Sequence, residues 1–302
     1  MTSNPNSKLA GSGIDFTKTI HHDTYEYIKP EQFNLQNRAV FITGASKGIG
    51  KATAISYAKA GASQIAIAAR TDMQEVETEM SRAAKEAGKK PPQIVRLKID
   101  VTNEQSVQEA AKGVEKAFGK LDTLINNAGY LEKFVPLHET ETSDWWKVWE
   151  VNIKGPYLVT RAFLPLLLKT DGGYKTILNV SSVGANLISP GASGYQSGKL
   201  ALLRFGEFLN TDYADEGVIS FGIHPGGIPT ELAKCMPESM HHVLGDTAEL
   251  AGDGIVWLTA ERREWLRGRY VSCNWDMQEF LDKRAAIENG DLLKVRLDVG
   301  LS

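Results

Sequence analysis

VFITGASKGIGKATA, Val40–Ala54, leads from a run of apolar, partly β-branched residues into a helical pattern through a turn holding Gly44, Gly48 and Gly50. Each glycine answers a different steric demand. Gly44 permits a tight exit from the strand, Gly48 leaves no Cβ between the backbone and a bound pyrophosphate, and Gly50 lets helix and sheet approach closely. The N-terminus of the helix then offers its free N–H groups to phosphate. The spacing is G-x-x-x-G-x-G rather than the general G-x-G-x-x-G, so the strand-turn-helix setting carries the expectation of a dinucleotide site.

Outward from this turn the same rhythm repeats. RAVFIT, QIAIAA, QIVRLKID, TLINN, KTILNV, ISFGIH and GRYVSC read as strands. Helical patterns separate them, from Ile49, over 72–88, 104–118, 143–170, from about Ser193, and over 247–260. Parallel strands need crossovers, and helical crossovers imply an α/β, doubly wound Rossmann domain with a mostly parallel sheet. The expected division is a loose N-terminal arm over 1–36 whose YEYI end lies on the body, a catalytic dinucleotide-binding domain over 37–275, and a C-terminal helix and tail over 276–302.

Bulk properties narrow the partners. With 302 residues, 42% hydrophobic and 24% charged, the chain suits an ordinary globular protein. A net charge of −3 leaves no polyanion footprint, so no nucleic acid is expected. Cys235 and Cys273 stand far apart and are read as reduced, structural thiols in a reducing, cytoplasmic compartment. The first thirty residues lack a secretory pattern, and the greasiest run, FLPLLLK, is too short to span a bilayer, so no membrane insertion is expected. His21–His22 and His241–His242 have no third ligand at metal spacing, so no metal is expected. Trp145 and Trp149 read as one helical face packed on the core or on a partner helix.

The second strand bears on the choice of dinucleotide. An acidic residue at its end would take the adenosine ribose of NAD, but here Ala69 and Arg70 follow, with Lys47 in the glycine turn. Two cations and no carboxylate fit a 2′-phosphate, each charge-assisted contact adding roughly 1.5–3 kcal/mol, and point to NADP(H). The alternative, Asp72 turning back to the ribose, stays open. Farther on, GYQSGKLA sets Tyr195 and Lys199 four apart, on one face of a helix.

TGASKGIG at 43–50, NNAG at 126–129, VNIKG at 151–155, NVSS at 179–182, YQSGK at 195–199 and PGGIPT at 225–230 together make the chain resemble the short-chain dehydrogenase/reductase family over roughly 37–273. The resemblance implies a catalytic tetrad of Asn152, Ser182, Tyr195 and Lys199. It selects Ser182 over Ser181 because the family's serine precedes its tyrosine by thirteen residues. It also implies cofactor contacts from Gly44, Ser46, Gly48, Ile49 and Gly50, from Asp100 and Val101 beside the adenine, and from Asn127, Ala128 and Gly129. Pro225, Gly226, Ile228 and Thr230 would stand at the nicotinamide end, with Tyr195 and Lys199 also touching the cofactor. Lys47 and Arg70 match the basic positions of NADP-preferring members. The long arm and the chain after GRYVSC depart from the pattern.

The chemistry so implied is hydride transfer between nicotinamide and a carbonyl or alcohol, as in a ketoreductase. A unit charge about 4 Å from the phenol in an effective dielectric of ~20 is worth about 4 kcal/mol, so Lys199 is expected to lower the pKa of Tyr195. Tyr195 would then exchange the proton, Ser182 would bond the carbonyl oxygen, and Asn152 would anchor a water. In the family the chain resembles, the stretch matching ELAKCMPESMHHVLG, 231–245, covers the substrate, which implies a small helical lid over an apolar small molecule. Leu232, Met236, Met240, Tyr130, Leu131, Leu187 and Ile188 would form the pocket. The segments RAFLPLLLK and KLALLRFGEFL lie on helices that commonly pair subunits in the family the chain resembles, which implies a homodimer or homotetramer. An isomerase or cyclase, or an NADP-binding sensor on the same fold, are the competing readings.

Overall fold

The computed structural model describes residues 11–297, so the first ten residues of the arm and the last five of the tail lie outside it. Seven strands form one sheet in the order β3-β2-β1-β4-β5-β6-β7, and every pair is parallel. They are β1 Ala39–Thr43, β2 Gln64–Ala69, β3 Gln93–Lys98, β4 Thr123–Asn126, β5 Thr176–Val180, β6 Ile219–His224 and β7 Tyr270–Ser272. The helices between them are α1 Gly48–Lys59, α2 Gln74–Glu86, α3 Glu104–Phe118, α4 Thr142–Trp149, α5 Gly155–Leu168, α6 Ser193–Asp212 and α7 Ala248–Thr259. Strand order reverses between β1 and β4, and at such a switch point the crevice above the strand ends is open to a ligand.

Burial on both faces explains the unbroken apolar strands. All five residues of β1 are buried: Val40 and Ile42 join the core under α1 and α7, while Ala39 and Phe41 join the core under α3 and α5. Phe41 stacks on Phe163 of α5 with centroids 4.0 Å apart.

Three expectations change. The single helix over 143–170 is three pieces: α4, one π-helical turn over Glu150–Lys154, and α5. Pro156 cannot donate to the Asn152 carbonyl four residues back, and Gly155 N–H instead reaches Glu150 O, five back. The arm is the second. From Gly11 onward it is not loose, because Ile28 and Leu35 are buried in the main core and Ile20 bridges Trp275. The pins are polar. His21 Nε2 meets Asp276 at 2.9 Å and its ring stacks on Tyr25, while Thr24 donates to Asp253 at 2.5 Å.

Beyond β7 the chain forms two short helices rather than one, α8 Met277–Asp282 and α9 Arg284–Asn289, and then returns so that Tyr270 N–H bonds Leu293 O on the open edge of β7. Covering an edge strand this way removes a template for unwanted pairing. Trp275 joins the arm to this extension: fully buried, it lies against Phe16, Phe280 and Tyr270 and donates Nε1–H to Gly13 O at 2.8 Å.

Trp275→Ala therefore removes the contact that both terminal segments share. A loss of about 3–5 kcal/mol in urea unfolding is expected, with faster proteolysis of the arm; a loss under about 1 kcal/mol would show that the segments hold without it.

Candidate active site

Two residues on the end of β4 shape the glycine turn. Asn127 Nδ2 donates to Thr43 O and Gly44 O, while Thr43 Oγ1 accepts from the N–H groups of Asn127 and Ala128. This leaves no room for side chains. A Cβ on Gly50 would stand 2.4 Å from Gly44 O, and one on Gly44, already at φ +68°, would stand 2.9 Å from Ala128 Cα. Gly50 thus plays the packing part expected of it. At Gly48 an added Cβ would meet Thr230 Cγ2 at 3.0 Å, so the segment after β6 passes close to the turn.

The N-terminus of α1 is open, with no side-chain cap from Lys47 and no acid in its first turn. A crevice of about 740 Å³ runs from Lys47, Gly48, Ile49 and Gly50, past Asn127–Gly129, to Ile228, Thr230 and Leu232. A second hollow of about 290 Å³ is lined by Ala69, Arg70, Asp100, Val101 and Ala128. The Asp100 carboxyl is held below its usual range by the Thr102 N–H, with Arg70 adding to the effect. Ser46 lies in the turn itself, and Pro225 and Gly226 follow β6, with Gly226 at φ +110°. A diphosphate cradle flanked by two hollows fits a dinucleotide.

The four chemical residues come together from three elements. Tyr195 and Lys199 stand one turn apart on α6, and Ser182, just past β5, is near enough to the Tyr195 hydroxyl to favour its ionised form. The adjacent serine is occupied elsewhere, since Ser181 Oγ donates to Lys199 O at 2.9 Å from a buried position. Asn152, fully buried in the π turn, pairs through its side chain with the Tyr130 backbone: Oδ1 accepts from its N–H and Nδ2 donates to its carbonyl, both at 2.8 Å. Its own carbonyl lacks the α-helical donor that Pro156 cannot supply.

One electrostatic expectation is overturned. Tyr195 is pushed up to about 12, chiefly by burial, with Ser182 pulling the other way. Lys199 does not lower it here. The Nζ donates to Val180 O at 2.8 Å and lies 5.5 Å from the ring centroid, and burial drives the lysine itself down to about 8.

The expected pocket also divides. Leu232 lines the main crevice, but Tyr130 lines the smaller hollow, and Leu187 and Ile188 line a separate groove with Gln196 and Leu200. Ile188 is fully exposed there. Cys273 is buried, its thiol pushed up to about 12 by burial, but Cys235 is exposed on the lid and has no core role. The tryptophan face is seen: Trp145 packs beside Trp149 and donates Nε1–H to Ser193 at the start of α6. Among the described residues no His, Cys, Asp or Glu group is arranged to hold a metal, and no helix is long and apolar enough to cross a membrane.

Two acids went unnoticed in the sequence. Asp246, after the lid, accepts from Gly227 N–H at 2.5 Å and from Asn274 Nδ2 at 2.8 Å, and pairs with His22 of the arm. Glu132 is buried beneath Tyr195, accepting its backbone N–H at 2.8 Å. Neither has a local pattern, because each acts on residues remote in sequence.

Residues 38–240 match the model of the short chain dehydrogenase family. A short chain dehydrogenase of Monascus purpureus is 52% identical over 286 residues, covering 95% of this chain and 97% of the relative. One from Emericella variicolor is 42% identical over 287 residues, covering 94% and 97%. Among solved structures, an alcohol dehydrogenase from the archaeon Thermococcus sibiricus, complexed with 5-hydroxy-NADP, superposes with a TM-score of 0.67 at 26% identity. That match covers 78% of this chain and 95% of the archaeal one.

Burial of Lys199 has a measurable signature. A lysine whose folded pKa lies near 8 rather than 10.5 binds fewer protons than in the unfolded chain between those values. Stability therefore rises with pH across that window, and the full penalty of about 3 kcal/mol applies below it. Relative to Lys199→Met, the wild type is expected to gain stability from pH 8 to 10.5 in urea titrations. A pH-independent difference would contradict the assignment.

Proposed function

We propose that this chain, which belongs to the short chain dehydrogenase family, is an NADP(H)-dependent oxidoreductase acting on a carbonyl or alcohol of an apolar small molecule, such as a specialised metabolite. The observation that carries the reading is that Ser182, Tyr195 and Lys199, with Asn152 near Gly129, occur together with a glycine cradle suited to a diphosphate.

The nicotinamide cofactor, when bound, supplies or accepts the hydride. Tyr195, held neutral by burial, is in the state that donates a proton to a carbonyl oxygen. Ser182 gives that oxygen a hydrogen bond as charge grows on it. Lys199 keeps a cation near the phenol and would hold the nicotinamide ribose. Asn152 braces Tyr130 with its side chain, so its backbone carbonyl, which Pro156 cannot serve as an α-helical donor, is better suited than its amide to anchor a water for proton return. Gly44, Ser46, Gly48, Ile49, Gly50, Asn127, Ala128 and Gly129 would cradle the diphosphate, with Asp100 and Val101 at the adenine. Pro225, Gly226, Ile228 and Thr230 would stand at the nicotinamide. A second copy of the chain would pack on α5 and α6, where Tyr157, Leu200 and Phe208 are exposed, and a cytoplasmic setting suits the free thiols.

The preference for NADP(H) rests on Arg70, which lines the smaller hollow, and on Lys47, which pairs with Glu231 across the main crevice. Fluorescence titration should show NADPH binding at least ~10-fold tighter than NADH, and Arg70→Asp should shrink or invert the ratio. Equal dissociation constants in the wild type would reject the preference.

Tyr195→Phe keeps the ring but removes the proton. Turnover on a panel of apolar ketones, followed by NADPH absorbance, should fall about 10²–10⁴-fold while NADPH affinity stays within a few-fold. A variant keeping more than a tenth of wild-type turnover, with chemistry rate-limiting, would favour an isomerase or a binding protein instead.

A further inference from the structure

The first turn of α6 carries Tyr195, yet the helix has no cap of its own. Ala192 at the N-cap position makes no side-chain bond, and the first turn holds no acid. Asn103 on α3, Thr247 on α7 and Asp276 on α8 are local side-chain caps, whereas α1, α2, α4 and α5, like α6, have none. On α6 the acceptor arrives from 63 residues away: Glu132, in the loop after β4, takes the Tyr195 N–H on Oε1 at 2.8 Å. The fit is close. A Cβ on Gly194 would stand 3.0 Å from that oxygen and 3.2 Å from Trp145.

A cap needs one acceptor, and a small polar residue supplies it cheaply. Glu132 is instead a whole carboxyl only 2% exposed, and its Oε2 has no hydrogen-bond partner among the described residues. Burying an acid with half its bonding unmet is unfavourable, so the charge needs a reason beyond the cap. Its neighbour provides one, because a negative charge near a phenol opposes formation of phenolate.

The other ionisable groups on elements packed against α6 are accounted for. Asp144 and Lys147 of α4 engage the Tyr130 hydroxyl and ring, and Glu150 and Lys154 of the π turn lie toward Arg70 and Asp100. His224, at the end of β6, is held neutral by burial, which drives it down to about 4. Lys199 donates to Val180 O. Glu132 is thus the carboxyl left to act on the phenol, and its charge does raise the Tyr195 pKa.

We propose that Glu132 is a positioning residue for Tyr195: it fixes the first turn of α6 through the backbone N–H, and its buried charge keeps the phenol in the protonated form. The proposal rests on reading Tyr195 as the proton donor, and it adds a control on that donor supplied from the end of β4. Removing the charge lowers the phenol's pKa. The reducing limb of a pH-rate profile, which falls as the phenol ionises, then moves to lower pH.

The test reads the phenol directly. In the full chain carrying ¹³Cζ-labelled tyrosine, the resonance lost in Tyr195→Phe reports this side chain whether or not it transfers a proton. Glu132→Gln keeps an acceptor for the N–H but no charge; its phenol titration should begin at least ~0.5 pH unit lower than in the wild type, with NADPH affinity within two-fold. An unmoved titration overturns the proposal. If the glutamine variant does not fold, Glu132→Asp, which withdraws the charge by one methylene, must show a smaller shift in the same direction, and no shift there overturns it equally. Turnover retained in Tyr195→Phe would remove the proton-donor reading, while the resonance would still decide whether Glu132 governs the phenol.

Discussion

Everything at the site depends on how closely the turn after β1 approaches the end of β4. Asn127 spans the gap, bonding the carbonyls of Thr43 and Gly44 with one amide, and Gly44 and Gly50 leave no side chain in the way. Since β1 and β4 are the strands at which the sheet reverses direction, this contact sets the width of the crevice where a dinucleotide would lie. It also sets the direction of α1, whose uncapped N–H groups face that crevice. A single methyl at either glycine would force backbone apart, because the nearest atoms belong to main chain that cannot swing aside.

The other half of the site is braced from outside the sheet. Asp246 joins the Gly227 N–H below the lid, Asn274 beyond β7 and His22 of the arm, so the loop after β6 is tied to both terminal segments. Trp275 completes the tie through Phe16 and Phe280. The extra chain at the two ends thus buttresses the strand ends from which the lid rises. It also covers the β7 edge, through Leu293 on Tyr270.

Burial is the source of the site's displaced protonation equilibria. Tyr195, Lys199 and His224 are all displaced from their ordinary values by desolvation before any neighbour acts, each toward its neutral form. A neutral phenol suits a proton donor, and Lys199 near 8 still carries its charge at neutral pH. The cost of burying these groups is borne by the large apolar cores on both faces of the sheet.

Much of this was legible in the chain. The glycine turn, the seven strands and the parallel sheet follow from patterns a few residues long, because strand periodicity, turn chemistry and helix phase are local properties. The pairing of Tyr195 with Lys199 was legible for the same reason, as a helix places residues four apart on one face. What acts across the fold was not legible. The break between α4 and α5 turned on Pro156 denying Asn152 a donor, within a region whose overall pattern still reads as helix. Glu132 under Tyr195, Asp246 under the lid and Val180 O on Lys199 have no sequence signature, since their partners are brought to them by strand order alone. The sequence by itself determined the strands, the glycine turn and which side chains share a helix face. Only the tertiary structure decided how those side chains are charged and held, because burial and long-range hydrogen bonds exist only once the sheet has assembled.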